Sequence, residues 1–220
     1  DRVIAIAAET GAELVLANDP DADRLAAAVP DPSGRGYRML SGNEVGALLA
    51  DDAIAHAATD GRQKLVVTTV VSSSLLSRMA RDRGVVCRET LTGFKWIVDE
   101  AMRGEREGLA FVLGYEEALG YAVGPLVRDK DGIGAALRLA ELARVLKTGG
   151  EALRDRLEDL LGAHGRSHQQ VRTRPAARAE PIAPIDIAIS ISATGLGTRY
   201  RVESGNIRPA STRQGDGTES

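Results

Sequence analysis

Three short apolar runs, "KLVVTTVV" from Lys64, "VVCRE" from Val85 and "GLAFVLG" from Gly108, alternate with stretches of helical periodicity. This alternation constrains the fold more than any other feature. Strands separated by helices of ten residues or more predict βαβ units, because parallel neighbours need a long crossover and the helices must cover both sheet faces. The expectation from Asp1 to about Lys147 is an α/β fold with a three-layer arrangement and a mixed, mainly parallel sheet. "AELVLAN" reads as a strand buried on both faces. "GNEVGALLADDAIAHAATDG" reads as a helix, with Val45, Leu48, Leu49 and Ala53 at helical spacing and Gly61 beyond its end. Further helices are predicted in "SSLLSRMARDRG", "GFKWIVDEAMRGE", "KDGIGAALRLAELARVLKTGG" and "GEALRDRLEDLLGAHG".

After about Arg166 the texture changes. Lysine disappears, arginine, alanine, serine and threonine dominate, and only "PIAPIDIAISISATG" alternates as a strand would, with Ile185, Ile187, Ile189 and Ile191 on one face. A partial α+β region with a disordered end is expected there.

The chain has 220 residues, 43% hydrophobic and 27% charged, which is room for one large domain or two small ones. A net charge of -3 and a pI near 5.7 give no basic stripe for nucleic acid, so phosphate recognition must be local. One cysteine, Cys87, excludes a disulfide framework and a cysteine zinc site, and it reads as a buried small side chain. No apolar run is long enough for a bilayer and "DRVIAIAAET" is no leader, so no membrane partner and a cytoplasmic location are expected. The opening in mid-helix at Asp1 suggests a piece of something longer.

"LVLANDPDADRLAAAV" sets Asp19, Asp21 and Asp23 at alternate positions after an apolar run, with Arg24 next. Three carboxylates so close repel unless a hard divalent cation such as magnesium or calcium draws them together. A calcium loop requires glycine at its sixth position and glutamate at its twelfth, where this chain has Arg24 and Pro30, so that reading fails. An aspartyl nucleophile after a buried strand, as in haloacid-dehalogenase-like phosphotransferases, remains open, although Asp23 stands where those proteins carry threonine or valine. A solvated acidic turn is the plainest account. Arg24 favours a site, because an arginine beside a metal cluster suits a bound phosphoryl group.

The second informative stretch is "VLGYEEALGYAVGPLVRDKDGIGAALRLAEL", Val112 to Leu142. Glu116 and Glu117 offer acceptors for hydroxyls, and Arg128 and Lys130 offer donors to phosphate, a mixture that suits a phosphosugar; a turn and a capped helix with surface charges would look much the same. His56 reads as surface or packing. His164 and His168 lack a third partner for a metal. Ser72, Ser73 and Ser74 read as a helix N-cap rather than as nucleophiles.

Together, "NDPDADR", "TGFKWI" and "GYEEALGY…RDKDG" closely resemble the α-D-phosphohexomutase family, the phosphoglucomutases, phosphomannomutases and phosphopentomutase-like enzymes, over Asp1 to about Ala163. The resemblance implies four domains around a cleft. Residues 1–40 would end the second domain and carry the metal loop, 41–149 would form the third with the sugar loop, and 150–220 a partial or divergent fourth. The first domain, with its phosphorylated serine and neighbouring lysine, would lie outside this chain, leaving it inactive alone.

Carried over, Asp19, Asp21 and Asp23 resemble the Mg2+ ligands, and Arg24 the catalytic-site arginine that steadies the serine phosphate. Glu116 and Glu117 resemble the acceptors of sugar hydroxyls, and Thr92, Gly93, Lys95, Arg128 and Lys130 groups that approach substrate. Many members carry serine where this chain has Ala118, and others histidine where it has Tyr121. The fourth domain's phosphate loop is expected in pieces, at Arg208, Pro209, Ser211, Gly217, Thr218 and Glu219. The implied reaction is a reversible relay of phosphate between the 1 and 6 positions of a hexose phosphate through phosphoserine and a bisphosphate. Its substrate would be a hexose or pentose phosphate, and its class an isomerase of the phosphotransferase type. A non-catalytic phosphosugar or metal-binding module is the alternative for the chain by itself.

Overall fold

A computed structural model describes residues 2–165 together with three short strands, Ile187–Ser190, Tyr200–Glu203 and Asn206–Pro209. The expected disordered end, Ile185, Ile191, His168 and the phosphate-loop pieces at Ser211, Gly217, Thr218 and Glu219 lie outside the described residues.

Helix α1 (Arg2–Thr10) leads into strand β1 (Val15–Asn18), then β2 (Leu25–Pro30) and β3 (Tyr37–Leu40). Helix α2 (Gly42–His56) starts at Ser41, whose hydroxyl accepts from the Glu44 amide at 3.3 Å while Glu44 accepts from the Ser41 amide at 2.8 Å. This reciprocal cap satisfies two amides that a helix start leaves open. Strand β4 (Lys64–Thr69), helix α3 (Leu75–Asp82), strand β5 (Val86–Thr90), helix α4 (Phe94–Arg106) and strand β6 (Ala110–Glu116) follow. A short β7 (Gly120–Ala122) turns back along β6 before α5 (Gly132–Thr148) and α6 (Leu153–His164). The remaining strands are β8 (Ile187–Ser190) and the hairpin of β9 (Tyr200–Glu203) with β10 (Asn206–Pro209), which carries Arg208 and Pro209.

The α/β class holds, and the parallel pairing is local. In the sheet ordered β5-β4-β6-β7, β4 runs parallel to both β5 and β6. In the other, ordered β3-β2-β1-β8, every described pairing is antiparallel. The expectation of a mainly parallel sheet over this part of the chain is therefore corrected. The connection 19–24 between β1 and β2 is too short for a parallel crossover, which takes a dozen residues or more. "PIAPIDIAISISATG" contributes only Ile187–Ser190, and that segment extends the first sheet beside β1.

Three layers surround β4. Val66 and Leu113 face the main core with Leu48, Leu49, Leu76, Met79 and Leu139, and Leu65, Val67 and Phe111 face Phe94 and Ile97 of α4. Burial on both faces is why these strands read as unbroken apolar runs. Leu153, Leu157 and Leu160 bring α6 into the main core. Val70 and Val71, which the apolar run promised to the strand, stand exposed in the turn after Thr69. No helix among the described residues is long and apolar enough to cross a membrane.

Candidate functional site

The aspartate segment is the loop of the β1–β2 hairpin. The Ala22 amide donates to the Asp19 carbonyl at 2.9 Å, and Ala22 takes a φ of 57°, so the chain reverses tightly between the second and third carboxylates. The Arg24 amide donates to Asp19 Oδ1 at 3.2 Å and Asn18 Nδ2 to the Arg24 carbonyl at 2.7 Å, which ties both ends of the loop together. Asp21 is exposed at the turn, while Asp19 and Asp23 are half-buried.

Two other segments reach this loop. The β6–β7 hairpin touches it where the Leu25 amide donates to the Leu119 carbonyl at 3.1 Å and Arg24 bridges to Gly120. The start of α5 presses on it from the other side. Lys130 Nζ lies 2.7 Å from Asp23 Oδ2, and a Cβ on Gly120 would meet both the Lys130 chain at 2.8 Å and Glu116 Oε1 at 3.0 Å. Asp23, Lys130 and Glu116 therefore form one group.

Their charges reflect it. The hydrogen bond from Lys130 holds the Asp23 carboxyl below its usual range, and the same contact raises the Lys130 ammonium. Burial pushes the Glu116 carboxyl up, against the pull of the Lys130 charge.

The neighbouring Glu117 faces elsewhere. Its Oε2 accepts from Ser72 Oγ at 3.0 Å and from Thr69 Oγ1 at 3.3 Å, and the two hydroxyls lie 2.8 Å apart. Its carbonyl sits against Gly42 at the start of α2, where any Cβ would run into it. Ser72 is thus no helix cap: Ser74 holds that position without a side-chain capping bond, its Oγ accepting instead from Arg78 at 2.7 Å, and Ser73 Oγ accepts from the Leu75 amide at 3.1 Å. Sequence reasoning missed Thr69 and Ser72 as site residues. Their one signal was that both stand at the carboxyl end of a parallel strand, where open α/β sheets place their ligands.

Other expected residues lie apart from this group. Thr92 and Gly93 form the turn before α4, with Gly93 at a φ of 118°, and the Lys95 ammonium rests 4.9 Å from the Trp96 ring centre. Arg128 pairs with Glu105 of α4 at 2.6 Å. Tyr121, which the resemblance set against a histidine, is a core residue packed with Tyr115, and its hydroxyl meets the Gly42 carbonyl at 3.5 Å. Cys87 is half-buried, and desolvation pushes its thiol up to about 11. His56 is exposed and bonds Asp52 at 3.0 Å, and His164 bonds Asp82 at 2.7 Å.

The fit of a divalent cation turns on the donor set. The three aspartates supply carboxylate oxygen only, which suits a hard cation. Among the described residues Asp23 Oδ1 is buried without a hydrogen-bond partner, and its neighbour Arg24 Nε stands off at 3.9 Å. A buried acceptor of this kind costs free energy until a donor or a cation meets it. Among the described residues no three acidic, histidine or cysteine side chains are gathered tightly enough to hold a metal as they stand. Asp23 is instead turned toward Lys130. The residues fit a cation in kind, with Asp23 engaged by an ammonium.

A cavity of about 460 Å³ opens at the opposite edge of the sheet, lined by Lys64, Arg83 and Arg156 among others. Its cations are already engaged by Asp51 and by the Ile54 carbonyl.

Residues 41–163 match the family model of phosphoglucomutase/phosphomannomutase, alpha/beta/alpha domain III. The chain belongs to the phosphoglucomutase/phosphomannomutase family. It is 43% identical over 166 residues to the "Probable phosphomannomutase" of Haemophilus influenzae, covering 75% of this chain and 32% of that protein. Over 167 residues it is 40% identical to the phosphopentomutase of Homo sapiens, covering 73% and 27%. The chain thus spans about a third or less of the length of these curated relatives. Among solved structures it resembles a phosphoglucomutase/phosphomannomutase family protein from Burkholderia thailandensis, at 20% identity and a TM-score of 0.56 over 73% of this chain and 31% of that one. At that identity the likeness speaks for the fold. Membership of this family displaces the haloacid-dehalogenase reading of Asp19.

Proposed function

We propose that this chain supplies the metal loop and the sugar loop of a phosphohexomutase, which moves phosphate between the 1 and 6 positions of a hexose phosphate or the corresponding positions of a pentose phosphate. The observation that carries the reading is the 2.7 Å pair between Lys130 and Asp23 beside Glu116. It joins the "NDPDADR", "GYEEALGY" and "RDKDG" segments, far apart in sequence, in one charged group. The names of the relatives, phosphomannomutase and phosphopentomutase, support the same class of substrate.

In this reading Asp19, Asp21 and Asp23 hold magnesium. When bound, the ion supplies charge neutralisation and polarisation of the phosphoryl group, the main help that such a transfer needs. Arg24, exposed beside the loop, steadies the phosphate by charge-assisted hydrogen bonds. Lys130 offers its ammonium to a second phosphate oxygen. Glu116 and Glu117 accept hydroxyls of the sugar, and Thr92, Gly93, Lys95 and Arg128 contact it from the rim. The serine that carries the phosphate comes from outside this chain.

Asp21 gives the cleanest test because it is exposed and the hairpin does not depend on it. In the full-length protein Asp21→Ala should keep the melting temperature of the parent and lose phosphoryl transfer by about a hundredfold or more. Near-parental turnover with magnesium present would remove the ligand assignment.

A further inference from the structure

We propose that Ser72, backed by Thr69, is a positioning residue that fixes the Glu117 carboxylate for a sugar hydroxyl, so that the two adjacent glutamates do separate work. The inference rests on the sugar-phosphate reading of the site and assigns a role within it to the loop after β4.

The hydroxyl hydrogens can be counted. Ser72 and Thr69 have one each, and three oxygens lie within bonding distance of one another. The arrangement that uses each hydrogen once over the shortest contacts runs from Thr69 to Ser72 at 2.8 Å and from Ser72 to Glu117 Oε2 at 3.0 Å. A hydroxyl that accepts one hydrogen bond donates the next more strongly. Both contacts to the carboxylate fall on Oε2, which leaves Oε1 as the open acceptor among the described residues.

Both partners are held by backbone. Thr69 is 1% exposed and ends a strand paired on each side, and the Ser72 amide donates to the Thr69 carbonyl at 3.0 Å. The next residue is anchored to α2, since the Ser73 amide donates to Asn43 Oδ1 at 2.8 Å. On the glutamate side Gly42 lets α2 lie directly on the Glu117 carbonyl. A carboxylate fixed at one oxygen by rigid donors loses little freedom when its other oxygen takes a substrate hydroxyl. Glu116 has a different anchor, since it lies by Lys130 and faces the aspartate loop. The pair thus spans two walls.

The test compares Ser72→Ala and Ser72→Thr in the full-length protein, with glucose 1-phosphate as the probe and saturating magnesium. Ser72→Ala should raise KM about tenfold, as loss of a hydrogen bond to a charged group does, with kcat changed far less and the melting temperature unmoved. Ser72→Thr, which keeps the hydroxyl, should restore KM to near the parental value. An active protein whose KM is unchanged by Ser72→Ala, or whose KM defect Ser72→Thr leaves in place, overturns this inference alone. A parental protein that turns over no sugar phosphate overturns the mutase reading and this inference with it.

Discussion

Gly132 is the last letter of "RDKDG" and the first residue of α5, and space, not backbone freedom, requires glycine there. A Cβ at this position would lie 2.5 Å from the Arg24 carbonyl, 2.6 Å from Asn18 Nδ2 and 2.7 Å from the Ala22 carbonyl. Two of these are backbone atoms that cannot swing away. Gly132→Ala should therefore push α5 and the aspartate loop apart, costing about 1–3 kcal/mol in a urea titration, as overpacking typically does. Activity should fall further than the stability loss explains, because the displaced atoms belong to the loop of Asp19, Asp21 and Asp23. An unchanged unfolding midpoint would mean that the loop yields freely. The same residue scale shows why Glu117 was legible and its partner was not. The acidic pair stands out in "GYEEALGY", whereas Ser72 lies 45 residues away in a run that reads equally well as a cap. Only the parallel pairing of β4 with β6 brings the two together.

Among the elements, α2, α3 and α6 are tied by one buried charge. Asp51 of α2 is 4% exposed and accepts from Arg83, which follows α3, and from Arg156 of α6 at 2.8 Å. Burial pushes its carboxyl up, but the hydrogen bonds and charges of Arg156 and Arg83 outweigh this and hold it below the usual range. A carboxyl with a depressed folded pKa stabilises the fold above the unfolded value of about 3.9, and that stability is lost as pH falls through the folded value. Urea midpoints should therefore drop on acidification from about pH 5 to about pH 3. In Asp51→Asn the midpoint should be lower at neutral pH and the drop shallower; parallel curves for the two proteins would contradict the assignment. At this scale the sequence was most readable where elements were buried on both faces. The run "KLVVTT" stands out as an unbroken apolar stretch and the helix from Gly42 by its periodicity. Strands β2 and β7 stayed hidden, since "LAAAVP" has one β-branched residue and "GYA" is too short to show a period. Their strand character comes from neighbours, through the β1 pairing in one case and the return along β6 in the other.

The whole molecule gathers its candidate groups on one side. Strands β4, β5 and β6 end at Thr69, Thr90 and Glu116, so the loops carrying Ser72, Thr92 and Glu117 leave the same edge of the parallel sheet. The first sheet adds its aspartate hairpin against the β6–β7 turn, and the main core runs continuously beneath, from Leu16 and Leu25 to Val66 and Leu113. This architecture follows from chain order and pairing, which is why the three motifs could be recognised in sequence but their meeting point at Lys130 could not. The chain spans about a third or less of its relatives' length, and under the proposed reading it would supply part of such a site. The most direct test is phosphorus NMR on the full-length protein with magnesium, supplied in turn with glucose 1-phosphate, mannose 1-phosphate and ribose 1-phosphate. The account predicts that at least one 1-phosphate signal converts to that of the terminal-hydroxyl phosphate, without release of inorganic phosphate. Failure to interconvert any of the three, or release of free phosphate in place of transfer, would contradict it.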